Sequence, residues 1–211
     1  MTVDAVLHNH LIIYAKRPLP GYAKTRLGAV IGMDSSAGVY ARLLYSYLYD
    51  LLYSGSTFSI ELSVASQKDV EYFKYAFPEL SVVAQTNGDL GSRMARSFQQ
   101  AFQNGAHAVA LTGSDIPGLN SSLITRAFTL LENHRGVIGP AEDGGYYLIG
   151  LRAPGYGLFH GIEWSSPDVL TQTEILAQQQ ELQLIQLPML KDMDDSEDYW
   201  NWRDRMMLRN L

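Results

Sequence analysis

Apolar and polar positions divide the chain into short apolar runs and longer amphipathic stretches. Runs at residues 11–15, 59–65, 82–84, 108–112 and 137–138 read as strands, the second of them alternating through Ile60, Leu62 and Val64. Between them apolar side chains recur at spacings of three and four: Tyr40, Leu43, Leu44, Tyr47, Leu48, Leu51 and Leu52; then Met94, Phe98, Ala101 and Phe102; then Leu123, Ala127, Leu130 and Leu131. That spacing is the period of a helix with one buried face. Strand and helix alternate through the first 140 residues, which predicts an α/β three-layer sandwich with a mainly parallel sheet. Such sheets bind ligands beyond the carboxyl ends of their strands.

Beyond residue 140 the pattern changes. Residues 146–151 form a strong strand, and Ser166-Pro167 reads as the cap and first residue of a helix running to about Gln179. Residues 182–187 would be the next strand. Asp195 or Ser196 would cap a terminal helix carrying Tyr199, Trp202, Met206 and Leu208. With no repeat, low-complexity tract or linker, residues 1–211 are expected to form one domain.

Composition narrows the setting. There is no cysteine, so disulfides and thiolate zinc sites are excluded and a cytoplasmic protein is expected. The apolar run at 11–15 is too short for a membrane span or a signal sequence, so no membrane partner is expected. A net charge of −6 argues against a nucleic-acid partner. It does not oppose a small anion held by local cations or through a metal ion.

Four of the 16 lysines and arginines fall in one loop, at Lys16, Arg17, Lys24 and Arg26. Pro18, Pro20 and Gly21 bar a helix until about Lys24, so backbone N–H groups and cations can face one phosphate there. A helix starting near Thr25 would add its positive end. By itself the loop reads equally as a solvated basic turn. Asp115, just past the run at 108–112, could bind a divalent ion together with substrate phosphates, or merely hydrogen-bond its own turn.

The segment at 139–151 holds Glu142, Asp143, Gly144 and Gly145. Asp-Gly is an ordinary hairpin signal, but two adjacent glycines beside acids would also let a bulky ligand approach the backbone, with Asp143 as a base or as a hydrogen-bond partner of a hydroxyl-rich acceptor. Asp192 and Asp194 alternate and would point the same way in extended chain, as metal ligands or as an acidic helix start. The loop at 85–94, with Gly88, Gly91 and Arg93, could hold a base or ribose. No dinucleotide fingerprint, P-loop, zinc-protease pattern or nucleophile elbow occurs.

The basic loop, the turn at 113–119, the segment at 139–151, Trp164-Ser165-Ser166-Pro167 and the stretch at 192–198 occur in an order that resembles one family across nearly the whole chain. It is a family of uncharacterised bacterial proteins in the GT-A superfamily, associated with arsenosugar biosynthesis or radical-SAM proteins. It is related to the molybdenum-cofactor and phospholactate guanylyltransferases. The resemblance implies a nucleotide-diphospho-sugar transferase fold. It implies nucleotide contacts from Ala15, Lys16, Pro20, Gly21, Lys24, Arg26, Gly88, Arg93, Ser114 and Asp115, and a Mg²⁺ or Mn²⁺ ion on Asp115 and Asp194. Where that family usually has Asp-Thr-Pro-Glu-Asp, this chain has Asp194-Asp195-Ser196-Glu197-Asp198.

The expected activity is metal-dependent glycosyl transfer from a nucleotide-diphospho-sugar to a small-molecule acceptor. Lys24 would act on the phosphates and Asp143 as base, with Glu142 or Glu163 behind it. Glu142, Gly144, Gly145 and Trp164 would line the acceptor side. Nucleotidyl transfer from a triphosphate to a phosphorylated small molecule, and nucleotide binding without catalysis, are the alternatives. Tyr45 and Tyr49, off the core stripe of their helix, raise a homodimer as a further expectation.

Overall fold

Seven strands lie in one sheet of order β3-β2-β1-β4-β6-β5-β7 in a computed structural model that describes residues 8–155, 157–193, 198–200 and 202. They are β1 (Asn9–Ala15), β2 (Ser59–Val64), β3 (Ser81–Ala84), β4 (Ala108–Thr112), β5 (Gly136–Pro140), β6 (Tyr146–Leu151) and β7 (Leu184–Gln186). β6 is antiparallel to both neighbours, and every other pairing is parallel.

The central strands read as continuous apolar runs because both faces are covered. On one face Leu11, Ile13, Leu62 and Val64 pack against α2 (Met33–Tyr53), α3 (Gln67–Ala76) and α5 (Ser121–Asn133). On the other, Ile12, Val109, Leu111 and Ile149 meet Met94, Phe98 and Ala101 of α4 (Leu90–Gln103) and Ala177 of α6 (Val169–Gln179). This is the expected three-layer sandwich.

Local chemistry sets the helix starts. Asp89 accepts from the Ser92 N–H at 2.8 Å, Asn120 from Leu123 at 3.0 Å, and Ser66 from Asp69 at 3.2 Å. A short helix, α1 (Thr25–Ile31), follows the basic loop and ends at Gly32, where φ is 91°.

The strand boundaries differ from expectation by a residue or two, and the start of α6 differs further. Ser166-Pro167 does not open α6: the Ser166 hydroxyl instead accepts from the Asp168 N–H at 3.3 Å, closing a turn, and the helix begins at Val169. The first-turn N–H of Leu170 goes to the Gly144 carbonyl at 2.9 Å, so α6 starts on the β5–β6 hairpin. Asp195 and Ser196, the expected caps of the last helix, lie outside the described residues, as do Met206 and Leu208.

Candidate active site

β1 to β4 end on one edge of the sheet, and antiparallel β6 begins on that same edge. The loops that follow these strands, with the β5–β6 hairpin, enclose two adjoining cavities that share Tyr14, Leu90 and Gly113. The smaller, about 230 Å³, is lined by Ala15, Lys16, Lys24, Arg93, Ser114 and Asp115 among others. The larger, about 530 Å³, is lined by Arg26, Asp143, Gly145, Trp164 and Asp192, with apolar side chains between them.

Lys24 dominates the smaller cavity. It precedes α1 with φ 49° and ψ 46°, a left-handed conformation that costs a residue with a side chain roughly 1 kcal/mol or more. That turn directs its side chain inward: it is 6% exposed, and Nζ stands 2.9 Å from Oδ2 of Asp115. The Asp115 side chain is 43% exposed, so this carboxylate keeps access to solvent and ligand.

The two loops are joined beneath this pair by Tyr40, on α2. Its hydroxyl accepts from the Lys16 N–H at 2.9 Å and bonds the Ser114 hydroxyl at 2.9 Å. Burial pushes the Tyr40 phenol up to about 12, so it stays neutral and can serve both loops. The same helix sends Tyr47 to Thr112, 3.4 Å away at the end of β4. Sequence reasoning placed Tyr40 and Tyr47 only in a core stripe. The available signal was a hydroxyl on residues that otherwise fill an apolar face.

Arg93 is held as a fixed cation on the cavity wall. Its Nη1 donates to Gln85 Oε1 at 2.7 Å and its Nε to the Asp89 carbonyl at 3.3 Å, while Gln85 Nε2 donates to the Ser63 carbonyl at 3.0 Å. Tyr14 reaches Ser97 of α4 at 2.9 Å, and burial raises its phenol pKa.

The basic loop does not present all its cations to one anion. Arg17 lies over the Tyr72 ring, 4.3 Å from its centroid, with Nε buried and without a hydrogen-bond partner. Lys16 and Lys24 line the smaller cavity, and Arg26 the larger. Pro20 and Gly21 sit on an exposed bend closed by Leu19 to Arg17 and Tyr22 to Leu19 backbone hydrogen bonds, and line neither cavity. Gly88, with φ 125°, also lies outside both linings.

On the hairpin, Oδ1 of Asp143 accepts from the Gly145 N–H at 2.9 Å, and both residues line the larger cavity. Gly144 serves a different close approach from the one expected. A Cβ there would fall 1.9 Å from the Pro167 carbonyl oxygen, so the group packed on this glycine is the chain's own backbone. Glu142 and Glu163 are exposed and line neither cavity.

No group of three or more histidine or acidic residues suited to a metal occurs among the described residues, and Asp194 lies outside them. The donor set fits a divalent ion shared with ligand phosphates rather than one caged by protein: a single accessible carboxylate, Asp115, stands among cations that would hold those phosphates.

Residues 51–166 match the model of a family described as uncharacterised proteins conserved in bacteria, DUF2064. No curated protein matches the chain. Among solved structures, the chain is similar to a provisionally named nucleotide-diphospho-sugar transferase from Desulfovibrio desulfuricans G20, with 33% identity and a TM-score of 0.82 over 89% of this chain and 82% of that one. It shares its fold with the inositol-1-phosphate CTP transferase of T. maritima: 14% identity, TM-score 0.58, covering 91% of each chain. It also shares it with Rv0371C of Mycobacterium tuberculosis H37Rv in complex with manganese: 14% identity, TM-score 0.53, covering 92% of this chain and 97% of that one.

Proposed function

The chain belongs to the bacterial DUF2064 family, and from that premise we propose that it is a glycosyltransferase: a nucleotide-diphospho-sugar binds against Lys24 and Asp115, and the sugar passes to an uncharged small-molecule acceptor. The observation that carries this reading is the pairing of cavities. One concentrates cations around an accessible carboxylate, and the other, directly adjoining, is lined by Asp143 and Asp192 with Arg26 as its cation.

In this reading Lys24, Lys16 and Arg93 bind the diphosphate, and Asp115 is the residue that would hold a divalent ion against it. When bound, that ion supplies neutralisation of the negative charge that grows on the leaving diphosphate. Asp143, oriented by the Gly145 N–H, accepts the proton of the acceptor hydroxyl. The acceptor oxygen forms its bond to the anomeric carbon as the bond from that carbon to the diphosphate oxygen breaks. The electron pair leaves with the nucleoside diphosphate.

The test combines binding and turnover. A thermal-shift panel of nucleotides and nucleotide sugars, with and without Mg²⁺ or Mn²⁺, is expected to show one metal-dependent stabiliser, because a ligand of the native state alone raises its stability. Asp143→Asn is expected to remove turnover of that ligand and spare its binding. Unchanged turnover removes Asp143 from the mechanism, and binding without metal dependence or turnover supports a non-catalytic nucleotide-binding protein.

A nucleotidyltransferase is the second reading, favoured by Arg26 in the larger cavity and by the shared fold with a CTP transferase. A phosphorylated acceptor needs no base, so Asp143→Asn would then keep turnover. Of the two tyrosines expected to form a second apolar face, Tyr45 instead packs on Phe77 and bonds the Tyr72 hydroxyl, so it offers no free surface; assembly as a homodimer is supported by Tyr49 together with Tyr53, 51% and 77% exposed with stacked rings 6.2 Å apart. A monomer by sedimentation at micromolar concentration would end it.

A further inference from the structure

The tip of the basic loop has little packing of its own. Leu19, Pro20 and Gly21 are exposed, and a Cβ added at Gly21 would meet nothing within 4 Å. The loop's position is therefore set by its flanks, and each flank puts a side chain on α3. Arg17 lies over the Tyr72 ring, whose hydroxyl bonds that of Tyr45 on α2. Tyr22 donates its hydroxyl to Oδ2 of Asp69 at 3.0 Å. Asp69 and Tyr72 are three residues apart and so share one face of the helix, which offers the loop a dock with two prongs.

Asp69 has an ordinary role available. It stands in the first turn of α3, where Ser66 caps its N–H, and an acid there complements the positive end of the helix. That role needs no burial, yet Asp69 is only 4% exposed. A carboxylate withdrawn from water needs hydrogen-bond donors, and the Tyr22 hydroxyl supplies one. Burial first, and then Asp69, raise the pKa of the Tyr22 phenol, which keeps this donor protonated.

Lys24, two residues further on, has the left-handed backbone, a conformation that persists only where the surroundings hold it. From one side α1 holds it, through the Gly28 N–H to the Lys24 carbonyl at 2.9 Å. On the other side stand Ala23, which contributes a buried methyl group, and Tyr22 on Asp69. We propose that Tyr22 and Asp69 are positioning residues of the diphosphate grip: their hydrogen bond latches the basic loop onto α3 and so holds Lys24 over Asp115. This rests on reading Lys24 as a ligand of the donor's phosphates.

The test reads the place of Lys24 and its function separately. Acetylation of the full chain with an N-hydroxysuccinimide ester, followed by peptide mass spectrometry, compares Lys24, whose side chain is 6% exposed, with exposed Lys74 at the far end of α3. In Tyr22→Phe, Lys24 is expected to react at least fivefold faster than in the parent protein and Lys74 at an unchanged rate. Calorimetric titration with inorganic pyrophosphate and Mg²⁺ is expected to show at least fivefold weaker binding in the same variant. Asp69→Ala is expected to reproduce both effects, and Asp69→Asn, whose amide oxygen still accepts from Tyr22, to restore most of them. If Asp69→Ala fails to fold, Tyr22→Phe decides, since its side chain is 37% exposed and loses only a hydroxyl.

Lys24 as slowly acetylated in Tyr22→Phe as in the parent protein would overturn the proposal. So would equal acceleration at Lys24 and Lys74, which reports general loosening. Its failure is separable from that of the reading it rests on. Pyrophosphate binding weakened by Lys24→Ala but untouched by Tyr22→Phe sinks only the latch. Faster acetylation of Lys24 in Tyr22→Phe, with pyrophosphate binding unchanged in both Tyr22→Phe and Lys24→Ala, sinks the assignment of phosphate to Lys24.

Discussion

Lys24 shows why a site residue can be legible in a sequence while its geometry is not. Its charge and its place after Pro20 and Gly21 were readable, but the left-handed backbone that turns it onto Asp115 depends on a partner distant in sequence. Lys24→Ala removes a charge-assisted contact of about 1.5–3 kcal/mol, so nucleotide affinity is expected to fall roughly 10- to 100-fold in calorimetric titration. Tyr40 was legible only as a core residue, since apolar spacing carries no mark of what a hydroxyl touches. Tyr40→Phe leaves the Lys16 N–H and the Ser114 hydroxyl without this partner. Stability is expected to fall by about 1–3 kcal/mol in urea unfolding, with a lower kcat as the two loops lose their common tie.

His10 gives a residue-scale prediction away from the cleft. Burial first, and then His8, lower its pKa to about 4, and its neutral ring bonds the Ser59 hydroxyl at 2.6 Å. The folded form therefore resists protonation more than the unfolded chain, whose histidine titrates near 6.5. Stability is present above about pH 6.5 and is lost as pH falls toward 4. Burial raises the pKa of Glu61, whose Oε2 lies 4.0 Å from His10 Nε2, and this works in the opposite direction as its carboxylate protonates. With solvent screening, the net loss between pH 7 and pH 5 is expected to be about 1 kcal/mol. Urea unfolding at the two pH values should show it in the parent protein and a smaller change in His10→Gln.

Among elements, strands buried on both faces were the clearest, because apolar runs such as Ala108–Thr112 have few other readings. α3 was missed: its buried apolar residues are only Val70 and Phe73 among charged neighbours, too thin a stripe to register as a period. The start of α6 was misplaced because Ser166-Pro167 fits both a cap and a turn, and the hairpin decides between them. That docking makes Gly144 the sensitive position of the segment. Gly144→Ala puts a methyl group against the Pro167 carbonyl at φ 87°, and a loss of roughly 3 kcal/mol is expected by urea unfolding. At Gly145 the atoms nearest a Cβ would be those of the Asp143 carboxylate, the closest at 3.1 Å, so Gly145→Ala is expected to cost less stability. Equal losses would contradict the hairpin docking.

At the scale of the whole molecule, the sandwich and the ligand edge were legible from the alternation of strand and helix. The antiparallel insertion of β6 between β4 and β5 was not, since pairing order is set by how elements pack and no local pattern encodes it. Yet this insertion brings Asp143 and Gly145 to the edge where β1 and β4 deliver Lys16 and Asp115, and so gives the cleft its second cavity. The most direct measurement is the identity of the phosphate product. The protein is incubated with Mn²⁺, an acceptor alcohol and either a nucleotide-diphospho-sugar or a nucleoside triphosphate. Release of nucleoside diphosphate from the sugar donor, lost in Lys24→Ala and Asp143→Asn, is the predicted result. Pyrophosphate from the triphosphate, with the sugar donor left intact, would contradict it.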